Sequence, residues 1–290
     1  MDCGRKPRAA QRVALAAVPQ RPIITLTTDF GLTDPYVASV KGVILSLNPE
    51  AIIVDISHAV RPQHVGQGAF LLETVHPYFP PGAIHLAVVD PGVGTERRAI
   101  ALRTARGSFI GPDNGLLSAA LPDDIRSRVG RAGGRVRLPE GCLGVALTNP
   151  RYHRQPVSDT FHGRDIFAPA AAHLSMDVPL SDLGDAVDET FALPPFRAER
   201  RPDGTLSGKV IHIDVFGNLI TDVRGEDLVS PRATVEIGGR QIGGVERSYA
   251  GSQGLTALVG SSGYLEIALA GGSAAAELGA DIDEPVAVRS

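Results

Sequence analysis

The chain has 290 residues, 43% of them apolar, with mean hydropathy close to zero, enough for one large domain or two ordinary ones. A net charge of −4 argues against a broad nucleic-acid surface, and no apolar stretch approaches the length of a membrane span. Two cysteines, Cys3 and Cys142, make neither a disulfide framework nor a four-ligand zinc site, so a cytoplasmic setting is the simpler expectation.

Residues 1–21 read as a disordered basic tail. Arg5, Lys6 and Arg8 precede the apolar run Val13–Val18, but six residues ending at Pro19 are too few for a signal-peptide core. Ile23–Thr28 then reads as a buried strand that ends at Asp29-Phe30-Gly31. Thr33 or Asp34 is placed to cap a helix with Pro35 in its first turn and Val37, Val40, Ile44 and Leu47 at helical spacing. Asn48-Pro49 stops it. A second strand is expected over Ala51–Ile56, a helix over Val65–Val75, and a third strand over Ile84–Val89, again ending in an aspartate, Asp90. Strands at Ala99–Arg103 and Ser108–Ile110 and a helix over Asp165–Leu174 follow.

This rhythm predicts an α/β domain over 22–190, built on a mostly parallel sheet with flanking helices. Residues 191–206, rich in Pro, Arg and charge, read as a linker. Over 207–290 short strands with Gly turns (Lys209–Val215, Ala233–Ile237, Tyr264–Ala268, Pro285–Val288) predict a smaller, barrel-like β domain.

Asp29 and Asp90 each close a predicted parallel strand, the edge where open α/β sheets bind ligands, although either could merely start a turn. In Asp90-Pro91-Gly92-Val93-Gly94-Thr95-Glu96-Arg97 the proline and glycines permit a tight turn that returns Arg97 towards Asp90. His162, in Phe161-His162-Gly163-Arg164-Asp165, precedes a helix and can titrate near neutrality. Asp214 to Asn218 and Gly260-Ser261-Ser262-Gly263 offer polar groups at strand ends, or ordinary β-turns. No dinucleotide fingerprint, P-loop, nucleophile elbow or metal-ligand spacing is present, so residues alone stop at a two-domain protein with a small-molecule crevice.

The segments Ile24–Gly31 (ITLTTDFG), Tyr36–Asn48, Val54–His58, Asp90–Arg97 (DPGVGTER), Gly111–Leu117 (GPDNGLL), Phe161–Asp165 (FHGRD), Asp214–Asn218 and Ser262–Ala268 come in one order. Together they resemble the S-adenosylmethionine hydroxide adenosyltransferases, relatives of the bacterial fluorinase and chlorinase. The resemblance implies hydrolysis of S-adenosylmethionine to adenosine and methionine, without cofactor or metal. It implies a catalytic set Asp90, Arg97 and His162, and substrate contacts from Asp29, Asp34, Gly163, Asp214, Asn218, Ser261 and Ser262. It also implies a homotrimer with sites between subunits, and no nucleic-acid or membrane partner. Gly163 stands where the halogenating relatives carry a halide-contacting serine, Ser262 replaces a fluorinase arginine, and the long fluorinase loop is absent between Arg103 and Phe109. A halide-using synthase and a non-catalytic adenosine-binding protein are the alternatives.

Overall fold

The computed structural model describes residues 21–250, 252 and 254–289, so the tail assigned to 1–21 lies, except for Arg21, outside the described residues. The first sheet is built from β1 (Ile23–Thr28), β2 (Ile52–Ser57), β3 (Ala83–Val88), β4 (Ala99–Thr104) and β5 (Gly107–Pro112). A short β6 (Gly134–Arg137) follows, and then β7 (Leu143–Ala146) and β8 (Asp185–Val187) complete the sheet. Its order is β2-β1-β3-β5-β4-β7-β8. The pairs β2-β1, β1-β3 and β3-β5 are parallel, and those from β5 onward are antiparallel. The sheet is therefore mixed, and its parallel half carries the two aspartate-terminated strands.

Two helices cover opposite faces of the parallel half. Helix α1 (Tyr36–Leu47) turns Val40 and Ile44 onto Ile24, Leu86 and Val88. Helix α2 (Val65–Val75) sets Leu72 among Ala87, Val89 and Leu116 on the other face. Adjacent residues of β3 thus serve two cores, as a strand's period of two requires. Neither Thr33 nor Asp34 caps α1. Pro35 takes the cap position, and no side chain bonds the free amides of the first turn. Helix α2 is capped by His64, whose Nδ1 accepts from Gln67 N–H at 3.0 Å. A four-residue turn, α3 (Asp123–Arg126), follows β5.

The helix expected over Asp165–Leu174 divides in two. Gly163–Phe167 forms a wide π turn, and only Ala168–Leu174 (α4) is α-helical. Pro169 is the reason: it has no N–H for the Asp165 carbonyl, which instead accepts from Arg154 N–H at 2.8 Å.

Strand β9 (Glu189–Ala192) pairs with β6, and residues 193–205 hold only the short β10 (Glu199–Arg200). The second sheet comprises β11 (Leu206–Ile213), β12 (Leu219–Arg224), β13 (Thr234–Ile237), β14 (Arg240–Gly243), β15 (Leu255–Val259), β16 (Tyr264–Leu269) and β17 (Pro285–Arg289), with helix α5 (Ala274–Leu278) before β17. Its antiparallel order β14-β13-β17-β11-β12-β16-β15 is nearly closed by Glu246 just after β14, whose N–H reaches Ala257 of β15 at 2.8 Å. Val235, Leu265, Ile267 and Val288 fill this barrel. Phe70 of α2 packs with Ile211, Ile220 and Tyr264, so the two domains share a small apolar junction.

His85, buried on β3, bonds Thr25 Oγ1 through Nδ1 at 2.9 Å, and its ring lies 5.9 Å from that of His76. Burial pushes both imidazoles from 6.5 down to about 4, helped by the Arg106 charge at His76 and, at His85, by the cost of charging it beside the His76 ring. Below pH 6.5 the unfolded chain takes up protons that the folded chain refuses, so stability is full above 6.5 and falls towards pH 4. For fully buried His85 that gap is worth on the order of 3 kcal/mol. The urea midpoint should therefore drop between pH 6.5 and 5, and a flat midpoint there would contradict the assignment.

Candidate active site

Strand β1 lies between β2 and β3, so the chain leaves β1 in one direction and returns past it in the other. That reversal opens a crevice at the C-terminal ends of β1 and β3. Asp29 follows the first of these strands and Asp90 lies two residues beyond the second. Asp29 Oδ2 accepts from Gln63 N–H at 2.8 Å. Burial raises the Asp29 carboxyl above its ordinary value, against the pull of Gln63 N–H, and the negative charge of Asp90 adds to the rise.

Asp90 opens a compact turn in which Val93 N–H returns to Asp90 O and Thr95 N–H to Gly92 O, each at 3.2 Å. The turn brings Arg97 back. Its Nε donates to Asp90 Oδ1 at 2.8 Å, and its Nη2 donates to Asp90 Oδ2. The same Nη2 lies 2.8 Å from His162 Nδ1. Only 11% of the Arg97 side chain and 6% of the Asp90 side chain are exposed, and the guanidinium lies 5.3 Å from the Phe167 ring centroid.

A guanidinium is always a donor, so His162 Nδ1 is the acceptor and its proton sits on Nε2. Burial lowers the His162 pKa and the Arg97 charge lowers it further, with Asp90, Asp159 and Asp165 opposing. Both effects keep the ring neutral.

His162 is held at the mouth of the π turn. The buried Asp165 carboxylate accepts from Ser158 N–H at 3.0 Å and from Arg164 Nε and Nη2, each at 2.7 Å, which ties the 158–165 loop together. Gly94, at φ +75°, presses on that loop: a Cβ there would stand 2.5 Å from the Asp159 carbonyl oxygen. Gly163 faces the rings of Phe30 and Phe161, which would lie 3.2 and 3.3 Å from a Cβ. Tyr36 completes this aromatic group, 5.2 Å from Phe161 and 6.0 Å from Phe30.

The other expected contacts are not gathered there. Asp34 is exposed on the loop before α1. Asp214 and Asn218 close the β11–β12 hairpin: Asp214 Oδ1 accepts from the N–H groups of Phe216 and Asn218, and Oδ2 accepts from Asn218 Nδ2, all at 2.9 Å. They line a cavity of about 920 Å³ with Phe216, Tyr249, Ser261 and Glu266, and no residue of the first domain reaches it. Ser261 and Ser262 also edge a second cavity of about 650 Å³, where the barrel meets Glu73 and Asp123.

Sequence reasoning did not single out Phe30, Tyr36 and Phe161 as one group, or Gln63, or the pair in which the exposed Tyr249 O–H donates to Oε1 of buried Glu266. For Gln63 no signal exists, since its contribution is a backbone N–H presented at φ +65°.

Residues 24–184 match the N-terminal domain of the SAM hydroxide adenosyltransferases, and residues 208–287 match their C-terminal domain. The chain belongs to that family. A protein of Thermus thermophilus named (R)-S-adenosyl-L-methionine hydrolase is 42% identical over 271 residues, covering 92% of this chain and 98% of the relative. One of the same name from Salinispora arenicola is 39% identical over 257 residues, covering 88% and 92%. A fluorinase of an Actinoplanes species is more distant, 30% identical over 233 residues, covering 71% and 73%. Among solved structures, an uncharacterized conserved protein of Thermotoga maritima superposes with a TM-score of 0.77 at 31% identity, over 92% of this chain and all of that one. Membership covers both domains, and these two hydrolases are more similar to this chain, and over more of it, than the fluorinase.

Proposed function

We propose that this adenosyltransferase-family chain hydrolyses S-adenosyl-L-methionine to adenosine and L-methionine, with water attacking the 5′ carbon of the adenosyl group. The observation that carries the reading is the partly buried Asp90–Arg97–His162 chain of hydrogen bonds at the switch point of the sheet. The sulfonium is a ready leaving group, so what the site must supply is an aligned oxygen nucleophile. The water oxygen bonds C5′ as the C5′–S bond breaks, and that electron pair stays on the methionine sulfur. The surplus proton leaves the water. Arg97 cannot take it, and the neutral His162 ring spends its Nδ1 lone pair on Arg97. Asp90 is then the acceptor, with Arg97 fixing the direction of its carboxylate and His162 Nε2–H orienting the water.

In the same reading Asp29 receives the ribose hydroxyls, one carboxylate oxygen being held by Gln63 N–H while the other is left for ligand. Asp214, Asn218, Ser261 and Ser262 serve the substrate from the barrel of a neighbouring chain, in a homotrimer. Two exposed apolar groups support this. Val215 and Phe216, 92% and 74% exposed, form the hairpin tip beside Asp214, and Leu32, 77% exposed, lies on the loop between Phe30 and Tyr36. Asp34 fits the reading only as a contact reached on assembly, since it is exposed in the single chain.

Water, rather than halide, fits a site in which any side chain at position 163 would crowd Phe30 and Phe161. The hydrolases among the relatives are named for the R configuration at sulfur, and that epimer is the proposed substrate. The reading also includes cofactor-free chemistry in the cytoplasm. Incubation with each sulfonium epimer, with and without chelator and with fluoride, chloride or bromide, tests it by chromatography. Adenosine from the R epimer, unchanged by chelator and halide, is expected. A 5′-halo-5′-deoxyadenosine product, or binding without turnover, would replace the reading.

Gly94→Ala should cut turnover by about tenfold or more. Its methyl group meets the Asp159 carbonyl and pushes the Arg97 turn away from the His162 loop, and small misplacements of reacting groups are costly. Unchanged turnover would show that the two loops need not touch.

A further inference from the structure

The turn from Asp90 to Arg97 is held at both ends by one dipeptide outside it. Asn114 Nδ2 donates to the carbonyl of Val89, the residue before Asp90, at 2.9 Å. Asp113 N–H donates to the carbonyl of Arg98, the residue after Arg97, at 3.0 Å. Asp113 Oδ2 then accepts from Arg98 Nε at 2.9 Å.

The Asp113 carboxylate is fully buried and shared with Arg135 Nη1, Thr190 O–H and Phe191 N–H, at 2.6 to 2.7 Å. Burial pushes its pKa up, yet these donors hold it below the ordinary carboxylate value. It is a fixed anion.

Arg97 and Arg98 are adjacent where the chain extends into β4, so their side chains leave on opposite sides. Locking Arg98 to Asp113 therefore decides which arginine faces Asp90. Asn114 sets the height of the other end, with its Oδ1 accepting from Leu116 N–H at 3.1 Å.

We infer that Asp113 and Asn114 are positioning residues for the reaction, clamping Val89 and Arg98 so that Asp90 and Arg97 meet in register with His162. The inference rests on the hydrolase reading for its kinetic consequence, but its geometric content is independent of it.

The test is Asn114→Asp, which keeps shape and the Leu116 bond but turns an oxygen towards the Val89 carbonyl. Arg98→Lys, which keeps the charge and loses the guanidinium fork, is the second variant should the first not fold. Two readouts are taken well below the thermal midpoint: kcat and KM for S-adenosylmethionine, and the His162 titration followed by NMR in the uncomplexed protein.

Expected is a fall in kcat of about 10- to 100-fold with KM within about twofold, and a His162 pKa that rises towards its ordinary value as Arg97 withdraws. A role confined to stability would lower the midpoint while leaving both kcat and the His162 titration at parental values, and would overturn the inference. If the parent forms no adenosine, the hydrolase reading fails by itself, and the titration still decides the clamp.

Discussion

Replacing Asp90 by Asn should lower adenosine formation about 10³-fold, the combined scale of losing a proton acceptor and a preorganised charge. Asn keeps the size and one acceptor oxygen, so Arg97 is not abandoned outright in a site where only 11% of it is exposed. Asp90→Ala is the harsher change. It strips the guanidinium of both oxygens, and breaking a buried pair costs about 3–5 kcal/mol of stability. Comparing the two separates catalysis from folding, with circular dichroism as the check.

The parental rate should also carry an acidic limb. Burial and Arg97 lower the His162 pKa, so activity holds through pH 6.5 and falls only as pH drops below that ordinary value. Protonation there fills the Nδ1 lone pair and expels Arg97. A limb centred above 6.5 would contradict the hydrogen-bond assignment.

Mixing two inactive chains should restore activity. Asp90→Asn damages the first-domain half of the site and Asp214→Ala the barrel half. If each site joins one chain's sheet to its neighbour's barrel, an equal mixture reassembled from separated subunits gives intact sites in roughly one case in four. A site contained within one chain gives none. The readout is adenosine formation before and after mixing, with light scattering to find three chains of 30.4 kDa. Asp214 also accepts from the N–H groups of Phe216 and Asn218, so its loss loosens the exposed Val215-Phe216 tip as well.

The parallel half of the fold and the turn from Asp90 to Arg97 were legible in the sequence for local reasons, whereas the grouping of His162 with them came only from the family resemblance. Ile23–Thr28 and Ile84–Val89 are apolar runs cut off by Asp and Gly, and Pro91, Gly92 and Gly94 dictate the turn that returns Arg97. The antiparallel half was less legible. Strands β7 and β8 are four and three residues long and take their pairing from β4, not from their own pattern. Pro169 marks the break, but the apolar spacing across Asp165–Leu174 is helical on both sides of it, and the partner of the freed Asp165 carbonyl, Arg154, lies outside that segment. Asp34 lies on a loop whose cap position fell to Pro35, and no spacing rule distinguishes the two. Gln63 acts through its backbone and is invisible to any reading of side chains.

The central claim, that water is the nucleophile at the adenosyl 5′ carbon, is tested most directly by turnover of the R epimer in water enriched in oxygen-18. One labelled oxygen in the 5′ hydroxyl of adenosine, with none in methionine, is predicted. Adenosine without label, or no adenosine from either epimer, would contradict it.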